Sequence, residues 1–225
     1  MKRSIAVLLL LSLLGATAGC VETVVTVEFA EPFPADAADL PGFAAHHQGR
    51  YQSATDTTEA LLLGRQQLVL QQWQSWRLTG RQLDSLALPH RTGRGWLQSQ
   101  PYRVQALAAD SFCLSWQRTD TLLRAGTGQP TRLRQYQGWY YLSEPDPAAT
   151  GHWQVQRLAV AGRHLIRQAL SPDSLRLRAL DPAALELHRE PHTLRFVVRP
   201  RGGHARHQLG RYTGLWQTLG EYRRQ

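Results

Sequence analysis

Tyr102-Arg103-Val104-Gln105-Ala106, then Asp110-Ser111, then Phe112-Cys113-Leu114-Ser115-Trp116-Gln117 is the stretch whose reading decides the fold. On each side of the Asp110-Ser111 turn signal, apolar and polar residues alternate with period two. That period places Tyr102, Val104 and Ala106 on one face and Phe112, Leu114 and Trp116 on one face of the returning segment. Two alternating runs around a short turn predict an antiparallel hairpin. Cys113 falls in the opposite phase from the aromatic residues, as a partly buried, inert thiol.

Moving outward, the same grammar recurs. Ala60–Leu63 and Gln67–Leu70 are apolar runs around Gly64-Arg65, a tight hairpin. Trp139–Leu142, Trp153–Val160, His164–Leu170 and Thr193–Arg199 are rich in the aromatic, branched and long side chains that suit a half-buried pleated surface. The chain is therefore expected to be mainly β, built of antiparallel sheets in a sandwich or barrel-like arrangement. Helix signals are few. Asp181-Pro182 pairs an N-cap residue with proline at the first helical position, predicting a short helix over Ala183–Arg189 that Pro191 stops. Leu209, Tyr212, Trp216 and Leu219 come close to helical spacing and predict a second short C-terminal helix, weakened by Gly210, Gly214 and Gly220. Val21–Phe29 reads as a first strand or an extended tether; Pro32, Pro34 and Pro41 oppose ladder formation, so residues 30–45 read as a linker or surface loop, and residues 20–45 are expected to be an N-terminal segment and linker. Residues 46–225 are expected to be a single β-rich domain.

Hydrophobic residues make up 42% of the 225, enough for a real core rather than a disordered chain. The formal net charge is +9, and Lys2 is the sole lysine, so nearly all the positive charge is arginine. Guanidinium groups pair with carboxylate and phosphate through two bonds at once. That chemistry fits anionic envelope polymers or lipids, although the arginines are spread along the chain as they would be on solvated strand faces. No recognition helix or RNA-binding aromatic motif accompanies the charge, and nucleic acid is not expected as a partner.

The chain starts MKRSIAVLLLLSLLGATAGC. Lys2 and Arg3 are a positive n-region, and the apolar run Ile5–Leu14 is shorter than the ~20 residues a membrane span needs. Small residues from Gly15 to Gly19 lead to Cys20, so residues 1–19 read as an export signal. The stretch resembles the signal peptides of bacterial lipoproteins, with Ala18-Gly19-Cys20 as the end of the lipobox and Thr17 where leucine is usual. The resemblance implies that Cys20 receives a diacylglyceryl group and becomes the first residue. It also implies, from Val21 in place of aspartate, an outer-membrane protein facing the periplasm. Two acyl chains satisfy the requirement for stable anchoring. The alternative is ordinary cleavage after Ala16-Thr17-Ala18, which would free Cys20 to pair with Cys113.

Chemistry is thinly signalled. His188 and His192, in HREPH, lack the order of a zinc-protease helix motif, and His204 and His207 fall in a second short segment. No metal or cofactor is expected. There is no G-x-S-x-G elbow, and Glu144 and Asp146 flank Pro145 in a turn where acidic residues are common. An enzyme is the weaker expectation, with an envelope hydrolase its form. Seven tryptophans stand out, because indole beside arginine suits binding surfaces as well as cores. Trp96, beside a glycine-bearing loop, is the best exposed candidate for ligand binding, with Trp139 and Trp153 as further candidates. A Gly-x-Tyr step at Gly49-Arg50-Tyr51, Gly138-Trp139-Tyr140 and Gly210-Arg211-Tyr212 resembles the opening of lipocalin-type barrels, and implies the alternative of a carrier enclosing a hydrophobic ligand. The principal expectation is a lipid-anchored envelope protein with a binding or structural β-domain.

Overall fold

The computed structural model describes residues 24–225 apart from 89–91, 98–99, 109, 127, 178–179, 181 and 201. Cys20 and the stretch expected to be an export signal, residues 1–19, lie outside the described residues. Fourteen strands are described: β1 Val24–Phe29, β2 Gly49–Ser53, β3 Glu59–Leu63, β4 Gln67–Thr79, β5 Gly93–Leu97, β6 Gln100–Ala108 and β7 Ser111–Arg124 in the first half; β8 Arg132–Tyr136, β9 Trp139–Pro145, β10 Trp153–Ala161, β11 His164–Leu170, β12 Leu185–Glu190, β13 Thr193–Val198 and β14 Trp216–Arg224 in the second. The helices are α1 Gly80–Ser85, α2 Ser174–Leu177 and α3 Gly202–Arg211.

The strands form one open sheet in the order β12-β13-β1-β10-β11-β14-β2-β3-β4-β7-β6-β5, with β9 on the other edge of β10 and β8 beyond it. The chain is mainly β and mostly antiparallel, as expected, and its strands form one sheet because β14 joins the second half of the chain to β2. Pairing is antiparallel throughout the described strands except between β1 and β13. β10 is shared: β11 flanks it over Gln156–Ala161, and beyond that Trp153 bridges Phe29 of β1.

The sheet coils far enough that side chains from nine of its strands meet in one cluster. Tyr51, Leu61, Leu63, Leu68, Leu123, Leu133, Tyr140, Leu142, Leu158, Leu165 and Tyr222 are all buried there. Polar tips in this core are satisfied: Tyr51 Oη donates to the His47 carbonyl (2.5 Å), and Tyr222 Oη donates to Glu59 Oε1 (2.6 Å). Burial and the Glu59 carboxylate hold the Tyr222 phenol well above its ordinary pKa. The centre that the strands wrap is thus occupied by side chains.

A second cluster covers the outer face of β9, β10, β11 and β14. Tyr141, Val155, Leu170 and Trp216 supply the sheet side; Phe29, Phe33, Phe196, Val198, Leu209 and Leu215 supply the cover. Period two explains how both faces are buried: on β9, Tyr140 and Leu142 point to the first cluster and Tyr141 to the second. Arg157, fully buried, lies within this layer between the rings of Trp139 and Trp216, at 4.0 and 4.3 Å from their centroids.

The stretch expected as a linker is packed into the domain from Val24 onward. Val25, Val27 and Phe29 face the second cluster, while Glu28 points the other way, and the prolines fall after the strand has ended. Phe33 and Phe43 are 1% and 3% exposed, and full burial of such a side chain contributes roughly 1.5–3 kcal/mol. Arg134 pins the segment between them, with Nε 2.7 Å from Asp39 Oδ1 and Nη1 donating to the carbonyls of Pro32, Pro34 and Ala35. Phe29 and Phe33 thus join the second cluster and Phe43 the first.

The C-terminal expectations change too. Pro182–Ala184 forms only a 3-10 turn, and Leu185–Glu190 continues as β12 paired to β13. Helix α3 holds Leu209 in its last turns, but Trp216–Arg224 is strand β14, paired along its length with β11. The i, i+3/i+4 spacing of Leu209, Tyr212, Trp216 and Leu219 spans a helix end, a 3-10 turn and a strand. Sheet pairing with β11 and β2 outweighs that spacing.

Candidate binding cleft

Strands β4 and β7 run to 13 and 14 residues, more than twice the length of their neighbour β3. At ~3.3 Å per residue they extend more than 40 Å, so only one half of each reaches the main core. They pair from Gln67 opposite Arg124 to Thr79 opposite Ser111. Their outer halves project as an arm, widened by β6 and β5.

The arm is held by its own small core. Leu83 of α1 packs against Tyr102, Val104 and Leu114, all buried, with Leu78, Phe112 and Trp116 around them. Helix α1 starts where β4 ends because Thr79 caps it: Gln82 N donates to Thr79 Oγ1, and Thr79 N donates to Gln82 Oε1. Such a reciprocal cap contributes about 1 kcal/mol. Gly95 sits opposite Tyr102, where a Cβ would come within 2.5 Å of the Tyr102 ring and hydroxyl. Glycine at 95 lets the tyrosine lie flat across its neighbouring strand.

Packing of one face by α1 leaves the other phase of the strands outside. The register places Arg94 opposite Arg103, Arg103 opposite Ser115, and Ser115 opposite Ser75. These four positions make a row across β5, β6, β7 and β4. One pleat away, Trp96 faces Pro101 and Trp73 faces Gln117. Together with Thr58 from the turn before β3, these side chains line a cleft of about 650 Å³.

The cleft has three kinds of wall. Trp96 and Trp73 are 70% and 37% exposed and stand on the first and last strands of the row. Three inter-strand spacings separate them, or about 14 Å. Ser75 and Ser115 share a hydrogen bond of 2.8 Å and present hydroxyls between the aromatic ends. Arg94 and Arg103 have no ion-pair or hydrogen-bond partner among the described residues, although seven other arginines are paired. Tyr102, whose buried hydroxyl has no partner among the described residues, completes the lining with Gly95.

The three tryptophans singled out from sequence are not brought together. Trp96 lines the cleft. Trp139 packs over Arg157, and Trp153 packs in the second cluster beside Phe29, both half-buried in the layer that covers β9 and β10. Trp73, Arg94 and Arg103 escaped sequence reading. The phase of Ser115 and Gln117 marks the outward face; Trp73, Trp76 and Leu78 read as a continuation of the β4 run toward Gly80, but nothing local pairs them with β7, and His90–Gly95 reads as a polar loop where β5 begins.

Other candidate chemistry is dispersed. Burial raises the Glu144 pKa, with Arg167 opposing, whereas Asp146 spends its carboxylate on Ala148 N at 2.8 Å in a turn. His188 faces Glu186 at 3.7 Å, and His207 Nδ1 meets Gln137 Nε2 at 3.2 Å. Among the described residues no three His, Cys, Asp or Glu side chains gather as metal ligands. Glu28 forms the most buried acid–base cluster: its carboxylate takes His152 Nδ1 at 2.7 Å and Arg195 Nε at 3.2 Å. That cluster ties β1 to β13 and to the approach to β10. No helix of the described residues is long and apolar enough to cross a membrane. No protein-family model matches the chain, and comparisons with curated proteins and with solved structures find no match.

Proposed function

We propose that this chain is a lipid-anchored binding protein of the bacterial cell envelope, held at Cys20 on the outer membrane facing the periplasm, with the Trp73–Trp96 cleft as its binding surface. The observation that carries the binding part is the row of two exposed indoles and two unpaired arginines on one face of the arm. Indole faces and guanidinium groups at the surface are the side chains over-represented where partners dock. The anchor part rests on the lipobox-type leader. Val24 enters the sheet four residues after Cys20, and four residues reach at most ~14 Å, so an anchor at Cys20 keeps the start of β1, an interior strand between β13 and β10, near the bilayer. In the strand order β1 and β5 are nine positions apart.

A carrier reading needs a hollow centre, and the coiled sheet holds Tyr51, Leu61, Leu158 and Tyr222 there instead. A hydrolase reading needs convergent carboxylates or histidines, and those described are spread over separate turns. Both facts favour a surface binder.

Two measurements test the reading. Intact mass of the membrane-fraction protein should equal the chain from Cys20 plus a diacylglyceryl group; an unmodified soluble chain starting at Gly19 would remove the anchor. Co-sedimentation of the full chain with peptidoglycan, lipopolysaccharide or anionic phospholipid vesicles should fall at least tenfold in Trp96→Ala. Retention that is absent, or unchanged by the substitution, would remove the cleft.

A further inference from the structure

We infer that the cleft takes a carboxylate-bearing oligosaccharide, its sugar rings lying between Trp96 and Trp73 and its acid group between Arg94 and Arg103. This rests on the cleft being the binding surface.

The arginine pair is the strongest pointer. Arg94 and Arg103 are directly opposed across the β5–β6 ladder, and like charges in that relation repel. Neither has an acidic partner among the described residues, and the row they begin continues into Ser115 and Ser75, which are neutral. A single carboxylate between the two guanidiniums converts the repulsion into charge-assisted hydrogen bonds, for which the planar guanidinium fork is suited.

The tryptophans specify what bears the acid. An indole presents a flat, electron-rich face, which packs against the C–H face of a pyranose ring. Trp96 and Trp73 are separated by about 14 Å across three strand spacings, with non-aromatic Pro101 and Gln117 in the same row. That span fits a short oligosaccharide with one ring on each indole and a middle ring over the pleat. The serine hydroxyls at 75 and 115, and Thr58 at the rim, match the hydroxyl groups of such a ligand. A single-stranded nucleic acid would call for consecutive stacking platforms and a basic track along the backbone; the cleft offers two isolated rings and one arginine pair.

The test titrates the full chain, in detergent, with trigalacturonate, cellotriose and oligothymidylate, reading tryptophan fluorescence and heat. Trigalacturonate should bind at least tenfold more tightly than cellotriose and weaken with added salt. The double variant Arg94→Gln/Arg103→Gln should bring the two sugars within twofold of each other, and Trp96→Ala should weaken both. These positions are exposed, and an unchanged circular dichroism spectrum verifies folding. Equal affinity for the two sugars in the parent chain, or oligothymidylate binding more tightly than trigalacturonate, would overturn the assignment. If trigalacturonate fails while Trp96-dependent co-sedimentation persists, the ligand class is wrong and the cleft stands. If both fail, both are wrong.

Discussion

Arg157 offers the sharpest test of the packing. Its side chain is fully buried, with no carboxylate bonded to it. Its guanidinium lies 4.0 Å from the Trp139 centroid and 4.3 Å from that of Trp216, Nε donates to Gln168 Oε1 at 2.8 Å, and Nη1 donates to the Gly210 carbonyl at 3.1 Å. Burial pulls its pKa down, with the Tyr141 hydroxyl opposing. Desolvating one such ion costs several kcal/mol. Against that stand two desolvated cation–π contacts of about 2 kcal/mol each and two hydrogen bonds from a charged donor of roughly 1.5–3 kcal/mol each. The buried Nη2 has no hydrogen-bond partner among the described residues and adds to the cost, so of gains totalling roughly 7–10 kcal/mol about 2–3 kcal/mol remains in favour of arginine over an apolar side chain of the same length. Arg157→Met should therefore destabilise by about 2–3 kcal/mol, and Arg157→Ala by ~4–5 kcal/mol because a cavity is added. Arg157→Lys should fall close to methionine, since an ammonium cannot lie flat between two indoles. The assay is thermal unfolding followed by tryptophan fluorescence, with the methionine variant expected to lower Tm by roughly 5–10 °C. A methionine variant as stable as the parent would show that desolvation wins and would refute the cation–π account.

Glu28→Gln should cost about 2–4 kcal/mol, less than a wholly buried pair, because His152 and Arg195 keep 23% and 21% exposure and water can take over their charge. Amide exchange should show β1 opening first; uniform exchange across the sheet would argue against Glu28 as the tie. His47 predicts a pH dependence. Burial, with His46 and Arg224 nearby, lowers its pKa in the folded chain, where Nδ1 lies 2.9 Å from Tyr140 Oη. The unfolded chain takes up the proton near pH ~6.5, so this stabilisation is complete above that value and is lost as pH falls from there towards the folded pKa. His47→Gln should flatten the stability profile between neutral and mildly acid pH, and an unaltered slope would contradict the assignment.

Much of the architecture was legible because period two is a local signal. The β6–β7 hairpin, the β3–β4 turn at Gly64 and the β9–β10–β11 meander all follow from alternation and turn residues within a few positions. What escaped depends on partners distant in sequence. β1 owes its place to Thr193–Val198, some 170 residues away, and the proline-rich segment is held by Arg134. Trp216–Arg224 becomes a strand because β11 and β2 flank it. The cleft was half legible: exposure of Trp96 follows from its glycine neighbours, whereas Trp73 joins it only because β4 and β7 stay paired over their full length. Trp139 and Trp153 ranked below Trp96 but still read as candidates, because the stacking of Trp139 on a buried arginine and the packing of Trp153 beside Phe29 leave no local trace in sequence.

The seven tryptophans provide their own reporters, one indole N–H resonance each in a ¹⁵N-labelled chain. Added envelope glycan or trigalacturonate should shift the Trp73 and Trp96 signals and leave Trp139, Trp153 and Trp216 in place. Shifts confined to those three, or a ligand that binds without moving Trp73 and Trp96, would contradict the cleft as the working surface of this protein.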